Sequence, residues 1–63
     1  MNPSKKSELS RLLSIAEVAE ICLVSPKTIW RWIKAGDLRA IRLGAQWRIA
    51  PDDLKSFLQA RRT

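Results

Sequence analysis

The stretch Thr28–Gly36, TIWRWIKAG, sets two of the chain's three tryptophans one residue apart, with an arginine between them. In a strand both indoles project to one face. In a helix, at about 100° per residue, they stand about 200° apart and only one can enter a core. The flanks favour the helix. Ser25 is a good N-cap, Pro26 suits the first helical position, and Gly36 closes a run that extends to Ala35. With Ile29 at zero on the wheel, Ile33 lies at about +40° and Trp32 at about −60°, whereas Trp30, Lys34, Lys27 and Arg31 fall between about 100° and 200°. Trp32 is therefore assigned to the core and Trp30 to the edge of a basic face.

Upstream, Leu13-Ser14-Ile15-Ala16-Glu17-Val18 carries a capping box, Ser14 with Glu17, and a hydrophobic staple from Leu13 to Val18. Ile15, Val18, Ala19 and Cys22 then form an apolar stripe with Glu17 and Glu20 outside it. Only Leu23 and Val24 separate this helix from the cap at Ser25, which favours a helix-turn-helix crossing over a hairpin with a roomy loop. Cys22 belongs to the apolar row, and its expected role is packing.

Downstream the period changes. Ile41 and Leu43 alternate with Arg42, Gly44-Ala45 makes a turn, and Trp47 and Ile49 alternate with Arg48, which predicts a two-stranded hairpin. One face is expected to be apolar and the other to carry the arginines. Pro51 opens a last helix in which Asp52 and Asp53 suit the N-terminus and Arg61 and Arg62 the C-terminus, while Leu54, Phe57 and Leu58 face the core. Ile29, Trp32, Ile33, Trp47 and Phe57 are the expected core. The fold class is mainly α with a small β-hairpin, a winged helix-turn-helix of three helices plus a two-stranded wing. Its expected organisation is a flexible basic arm over residues 1–11, the domain over 12–60 and a tail over 61–63.

Size and charge bound the function. The chain has 63 residues, with 12 Lys+Arg against 6 Asp+Glu and no histidine. At this length only about 60% of the unfolded surface is buried, enough for one minimal core and too little for a water-excluding active site. No nucleophile, base or metal set stands out, so neither enzyme activity nor a cofactor is expected. Apolar runs are too short for a membrane span, and the start MNPSKKSELS lacks a signal peptide's apolar centre, so a cytoplasmic protein is expected. The net charge is +2 over residues 1–13, −2 over 14–24, +5 over 25–49 and +1 over 50–63. A basic middle segment in a small fold suits an anionic partner, with nucleic acid ahead of a lipid surface.

Three segments in order, LLSIAEVAEI, VSPKTIWRWIKAGDLRAIRLG and WRIAPDDLKSFL, resemble the excisionase-type domains of the MerR-like superfamily over residues 12–58. The resemblance implies binding to double-stranded DNA, with the second helix in the major groove and the wing against an adjacent backbone or minor groove. It also implies a recombination directionality factor, acting with an integrase, or a small transcription regulator, acting with RNA polymerase. Two positions depart from the family. Leu23 stands where glycine is usual in the turn, which is expected to tilt or lengthen it, and Ala45-Gln46 stand where arginine is frequent at the wing tip.

On that basis the DNA-contacting residues are Ser25, Pro26, Lys27, Thr28, Trp30, Arg31, Lys34, Arg42, Gln46 and Arg48. Lys27 and Arg31, one turn apart, are first for groove contacts, with Arg31 able to fork onto a guanine and Lys34 placed for a phosphate. The amides behind Ser14 and Ser25, at helix N-termini, suit phosphates as well. Thr28 suits either a phosphate or local capping. Trp30 suits either a sugar or thymine methyl, or packing on the wing. Arg42 and Arg48 suit phosphates, with a solvated strand face as the alternative, and Arg39 is a weaker candidate. Such a unit would read about 4 to 6 base pairs of a helical turn of about 10, so useful specificity implies cooperative assembly of monomers on DNA. The alternative class is a protein-interaction module that docks an acidic partner.

Overall fold

The computed structural model describes residues 11–61. It contains β1 (Leu13–Ser14), α1 (Ile15–Cys22), α2 (Pro26–Lys34), β2 (Ile41–Leu43), β3 (Gln46–Ile49) and α3 (Pro51–Arg61). The strands form one antiparallel sheet in the order β1-β3-β2. Three helices and a hairpin wing make the winged helix-turn-helix that the sequence predicts, with the wing widened by β1. That two-residue strand has no period to betray it. It exists because β3 lies beside it, pairing Leu13 with Ile49 and Ser14 with Arg48. The expected basic arm lies, apart from Arg11, outside the described residues, as do Arg62 and Thr63. Arg61 is the last residue of α3, not part of a tail.

The capping box forms as expected. Ser14 Oγ accepts from the Glu17 amide at 3.1 Å, and Glu17 Oε1 accepts from the Ser14 amide at 2.9 Å. These bonds satisfy amides that the first helical turn leaves without a partner. The turn that follows neither tilts nor lengthens. Leu23 itself takes the left-handed conformation that glycine would supply, φ 58° and ψ 42°. Its amide donates to Glu20 O at 3.2 Å and that of Val24 to Ala19 O at 3.0 Å, closing α1 with a Schellman-type pattern.

The Leu23 side chain is 90% exposed and gains nothing from burial. A side chain in this conformation costs about 1–2 kcal/mol, and glycine's extra freedom in the unfolded chain returns about 0.5–1 kcal/mol of that. Leu23→Gly is therefore expected to stabilise the domain by about 0.5–1 kcal/mol and to raise its melting temperature by several degrees, about 4–8 °C per kcal/mol for a domain of this size. Thermal melts followed by circular dichroism check this, and a lower melting temperature would contradict it.

The core comprises Val18, Ala19, Ile29, Leu38, Ile49, Leu54 and Phe57, with Leu13, Ile15, Cys22, Val24, Trp32, Ile33 and Ala40 packed around it. Ile29 is fully buried, as the wheel requires, and burying a side chain of this size contributes about 1.5–3 kcal/mol. Trp32 packs on this core at its margin, half-buried, its ring 4.9 Å from that of Phe57. Leu38 is the buried residue outside every periodic segment. Gly36, at φ 83°, turns the chain after α2, and the Asp37 and Leu38 amides then donate to Trp32 O at 3.0 and 3.2 Å, which drops Leu38 under the helix. Leu58 is 40% exposed and does not line the core, since Leu54 and Phe57 occupy the inward stripe of α3. Arg61 holds the end of α3 to the turn after α2, pairing with Asp37 at 3.3 Å and lying 5.2 Å over Trp32 and 4.5 Å over Phe57.

The hairpin departs most from expectation. Gly44-Ala45 is a two-residue loop with Gly44 at φ 62°. It pairs Leu43 with Gln46, Arg42 with Trp47 and Ile41 with Arg48. A two-residue loop sets odd-numbered residues opposite even-numbered ones, and directly opposed residues share a face. So Ile41 and Leu43 cannot share a face with Trp47 and Ile49. Arg42 lies with Trp47 and Ile49 on the inner face, whereas Arg48 lies with Ile41, Leu43 and Gln46 on the outer one. The two arginines stand on opposite faces, and Ile41 and Leu43 are 42% and 50% exposed. No helix among the described residues is long and apolar enough to cross a membrane.

Candidate nucleic-acid interface

α2 is the element on which the basic residues converge. Ser25 caps it: the Thr28 amide donates to Ser25 Oγ at 3.2 Å, and the two hydroxyls lie 3.0 Å apart. Of the two uses open to Thr28, the hydroxyl is engaged in local capping. Pro26 occupies the first turn without forfeiting a bond, because its missing N–H has no intrahelical partner there. The helix is strongly two-sided, with Ile29 buried beneath it and Lys27, Arg31 and Lys34 exposed above. Among the described residues the one ion pair is Arg61 with Asp37, so Lys27 and Arg31 have no acidic partner there.

The two indoles of TIWRWIKAG face different neighbours, as a helix requires. Trp32 turns to Phe57, and Trp30 packs against Trp47 of β3 with ring centroids 5.5 Å apart and planes inclined by 59°. Of the two uses open to Trp30, packing on the wing is the one present. Trp47 is thereby a correction, because it lies outside the core and half-buried between helix and wing. Lys34 Nζ sits 5.9 Å over the Trp30 ring and the Arg42 guanidinium 6.0 Å over that of Trp47, each near the outer limit for attraction to an aromatic face. Arg42 Nε also donates to Gly44 O at 3.3 Å, a bond that holds the side chain along the wing.

Arg48 and Gln46 are placed differently. Arg48 Nη1 donates to Trp47 O at 2.9 Å and Nη2 to Gln46 Oε1, so each side chain already has a partner on the outer face. Arg48 also lies near enough to Glu17 to act on it. The Glu17 carboxylate is held below the ordinary glutamate range, first by the Ser14 amide, then by the Ser14 hydroxyl, with a smaller pull from Arg48. The structure thus brings Lys27, Trp30, Arg31, Lys34 and Arg42 onto one surface with Ser25, Pro26 and Thr28 at its helical end. It separates Arg48 and Gln46 from that surface. Trp47 is the residue that sequence reasoning misses on this surface, and the parity of a two-residue loop is the signal that could find it.

Comparison with known proteins agrees with this geometry. A family model described as a helix-turn-helix domain matches residues 12–62. The candidate DNA-binding protein Rv0500A of Mycobacterium tuberculosis is 40% identical over 50 residues, which cover 79% of this chain and 64% of that protein. The uncharacterized protein Rv2310 of the same organism is 38% identical over 53 residues, which cover 84% of this chain and 46% of that protein. The chain therefore spans about half to two thirds of the length of these relatives. A match running from the residue before β1 to beyond the end of α3 takes in the capped pair of helices, the wing and the closing helix together, and the chain belongs to the helix-turn-helix domain family.

Proposed function

We propose that this chain binds double-stranded DNA, with α2 in the major groove and the β2–β3 wing against the neighbouring backbone. One observation carries the reading: Lys27, Arg31 and Lys34 lie exposed on the side of α2 opposite its buried Ile29 anchor. Cations neutralise phosphates, and a helix fits a major groove about 12 Å wide. The name of the mycobacterial relative points the same way. Within this reading the chain acts as an excisionase-type architectural factor in site-specific recombination, with an integrase, or as a small regulator, with RNA polymerase. It is a monomer that assembles cooperatively on repeated sites, because one short helix reads too few base pairs to single out an address.

Arg31 tests the proposal, since its guanidinium is the fork suited to a guanine edge. Arg31→Ala is expected to weaken binding to the preferred duplex by about 1–3 kcal/mol, a loss of about 5- to 150-fold, and to relax preference at the base it reads. Mobility shifts with the footprinted site and with point-substituted sites measure both. Unchanged affinity together with loss of an acidic protein partner would instead favour a protein-docking module.

A further inference from the structure

The half-buried pair Trp30–Trp47 is unexplained by the core. Neither ring belongs to the core cluster or to the apolar residues packed around it, and each belongs to a different element, α2 and β3. At the two ends of the pair stand cations from two elements, Lys34 over Trp30 and Arg42 over Trp47. Arg42 also shares a face with Trp47 by direct cross-strand pairing. The short hairpin has its other strand, β2, at the sheet edge, so little else ties its tip to the recognition helix.

The geometry points to Trp47 as a positioning residue: the two indoles, packed at an inclined angle, clamp the wing to α2, so that Lys34, Trp30, Trp47 and Arg42 form one continuous ridge that grips a single sugar-phosphate strand where the major groove ends. Trp47 acts through Arg42. The clamp fixes the height of the wing, and Arg42 finds its phosphate only when the wing is at that height. The indoles exclude water beside the strand, which strengthens the attraction between the two cations and the phosphates they meet. This deepens the DNA-binding reading and rests on it.

A double-mutant cycle on duplex binding, read as the slope of log affinity against log salt, tests the clamp. Each phosphate that is no longer neutralised lowers the magnitude of that slope by about 1. Arg42→Ala is expected to lower it by about 1 in the wild-type background and to change it hardly at all in a Trp47→Ala background, because Trp47→Ala has already released the wing. Lys27→Ala, at the N-terminal end of α2 about two turns from Lys34, is expected to lower it by about 1 in both backgrounds. Trp47→Phe keeps a ring in place and should restore the Arg42 effect. Should Trp47→Ala lose helix content by circular dichroism, Trp30→Leu opens the same clamp from the helix side and replaces it in the cycle.

The unbound protein has its own signature, since two indoles in contact with their planes inclined by 59° give an exciton couplet in the far-ultraviolet dichroism that Trp47→Phe should abolish. Equal effects of Arg42→Ala in both backgrounds, or no couplet in the wild-type protein, would overturn the clamp. The failure of the broader reading looks different: wild-type protein that takes up no duplex at low salt removes DNA binding altogether, whereas tight binding with an additive cycle removes only the coupling.

Discussion

Leu38→Ala is expected to lower the unfolding free energy by about 2–5 kcal/mol, the range for truncating a buried leucine. Leu38 is 1% exposed and sits among Val18, Ile29, Ile49, Leu54 and Phe57. A chain of this size has roughly 3–9 kcal/mol of stability in all, at about 0.05–0.15 kcal/mol per residue, so the loss removes a large part of it. Collapse around the vacancy is limited, because the Asp37 and Leu38 amides both donate to Trp32 O and hold the backbone there. Urea unfolding of the variant should show a lower midpoint with an unchanged slope. Leu58→Ala is the matched control: its side chain is largely outside the core, and a similar cost there would mean that the assignment of α3's inward face is wrong.

The second large effect is ionic. Lys27, Arg31, Lys34 and Arg42 share one surface, and the Ser25 end of α2 adds backbone donors. With roughly four to six phosphates neutralised, affinity is expected to fall by about 10² to 10³ between 50 and 200 mM salt, since each contact releases about 0.9 counterion on B-form DNA. The lower end is favoured, because Arg48 is already engaged by Trp47 O and Gln46 and faces the outer side of the sheet. Fluorescence titrations of a short duplex across that salt range give the slope directly. A slope near zero would mean that the basic surface does not meet phosphates.

The capping box, the two helix starts and the opposed tryptophans are all legible in the sequence, because each depends on residues within one or two turns of each other. Ser14 and Glu17 reach one another in any chain that makes that turn, and the wheel that separates Trp30 from Trp32 needs only 3.6 residues per turn. The candidate surface on α2 is legible for the same reason. The hairpin defeats local reading at one point, since alternation within each strand does not carry across the two-residue loop. Leu58 defeats it because an apolar residue at a helical spacing reaches the core only if another element covers it.

The helices, their caps and the basic side of α2 are thus written in the order of the residues, as local consequences of side-chain chemistry and backbone sterics. Packing between distant segments settled the rest: Leu13–Ser14 became a strand, Leu38 filled the space under α2, Arg42 and Arg48 parted to opposite faces, and Trp47 left the core for Trp30. The left-handed backbone at Leu23 belongs to the same group, because the crossing of α1 and α2 needs that turn whichever residue occupies it. Such outcomes depend on which surfaces meet, and neither pairing register nor burial between remote segments is encoded in local spacing.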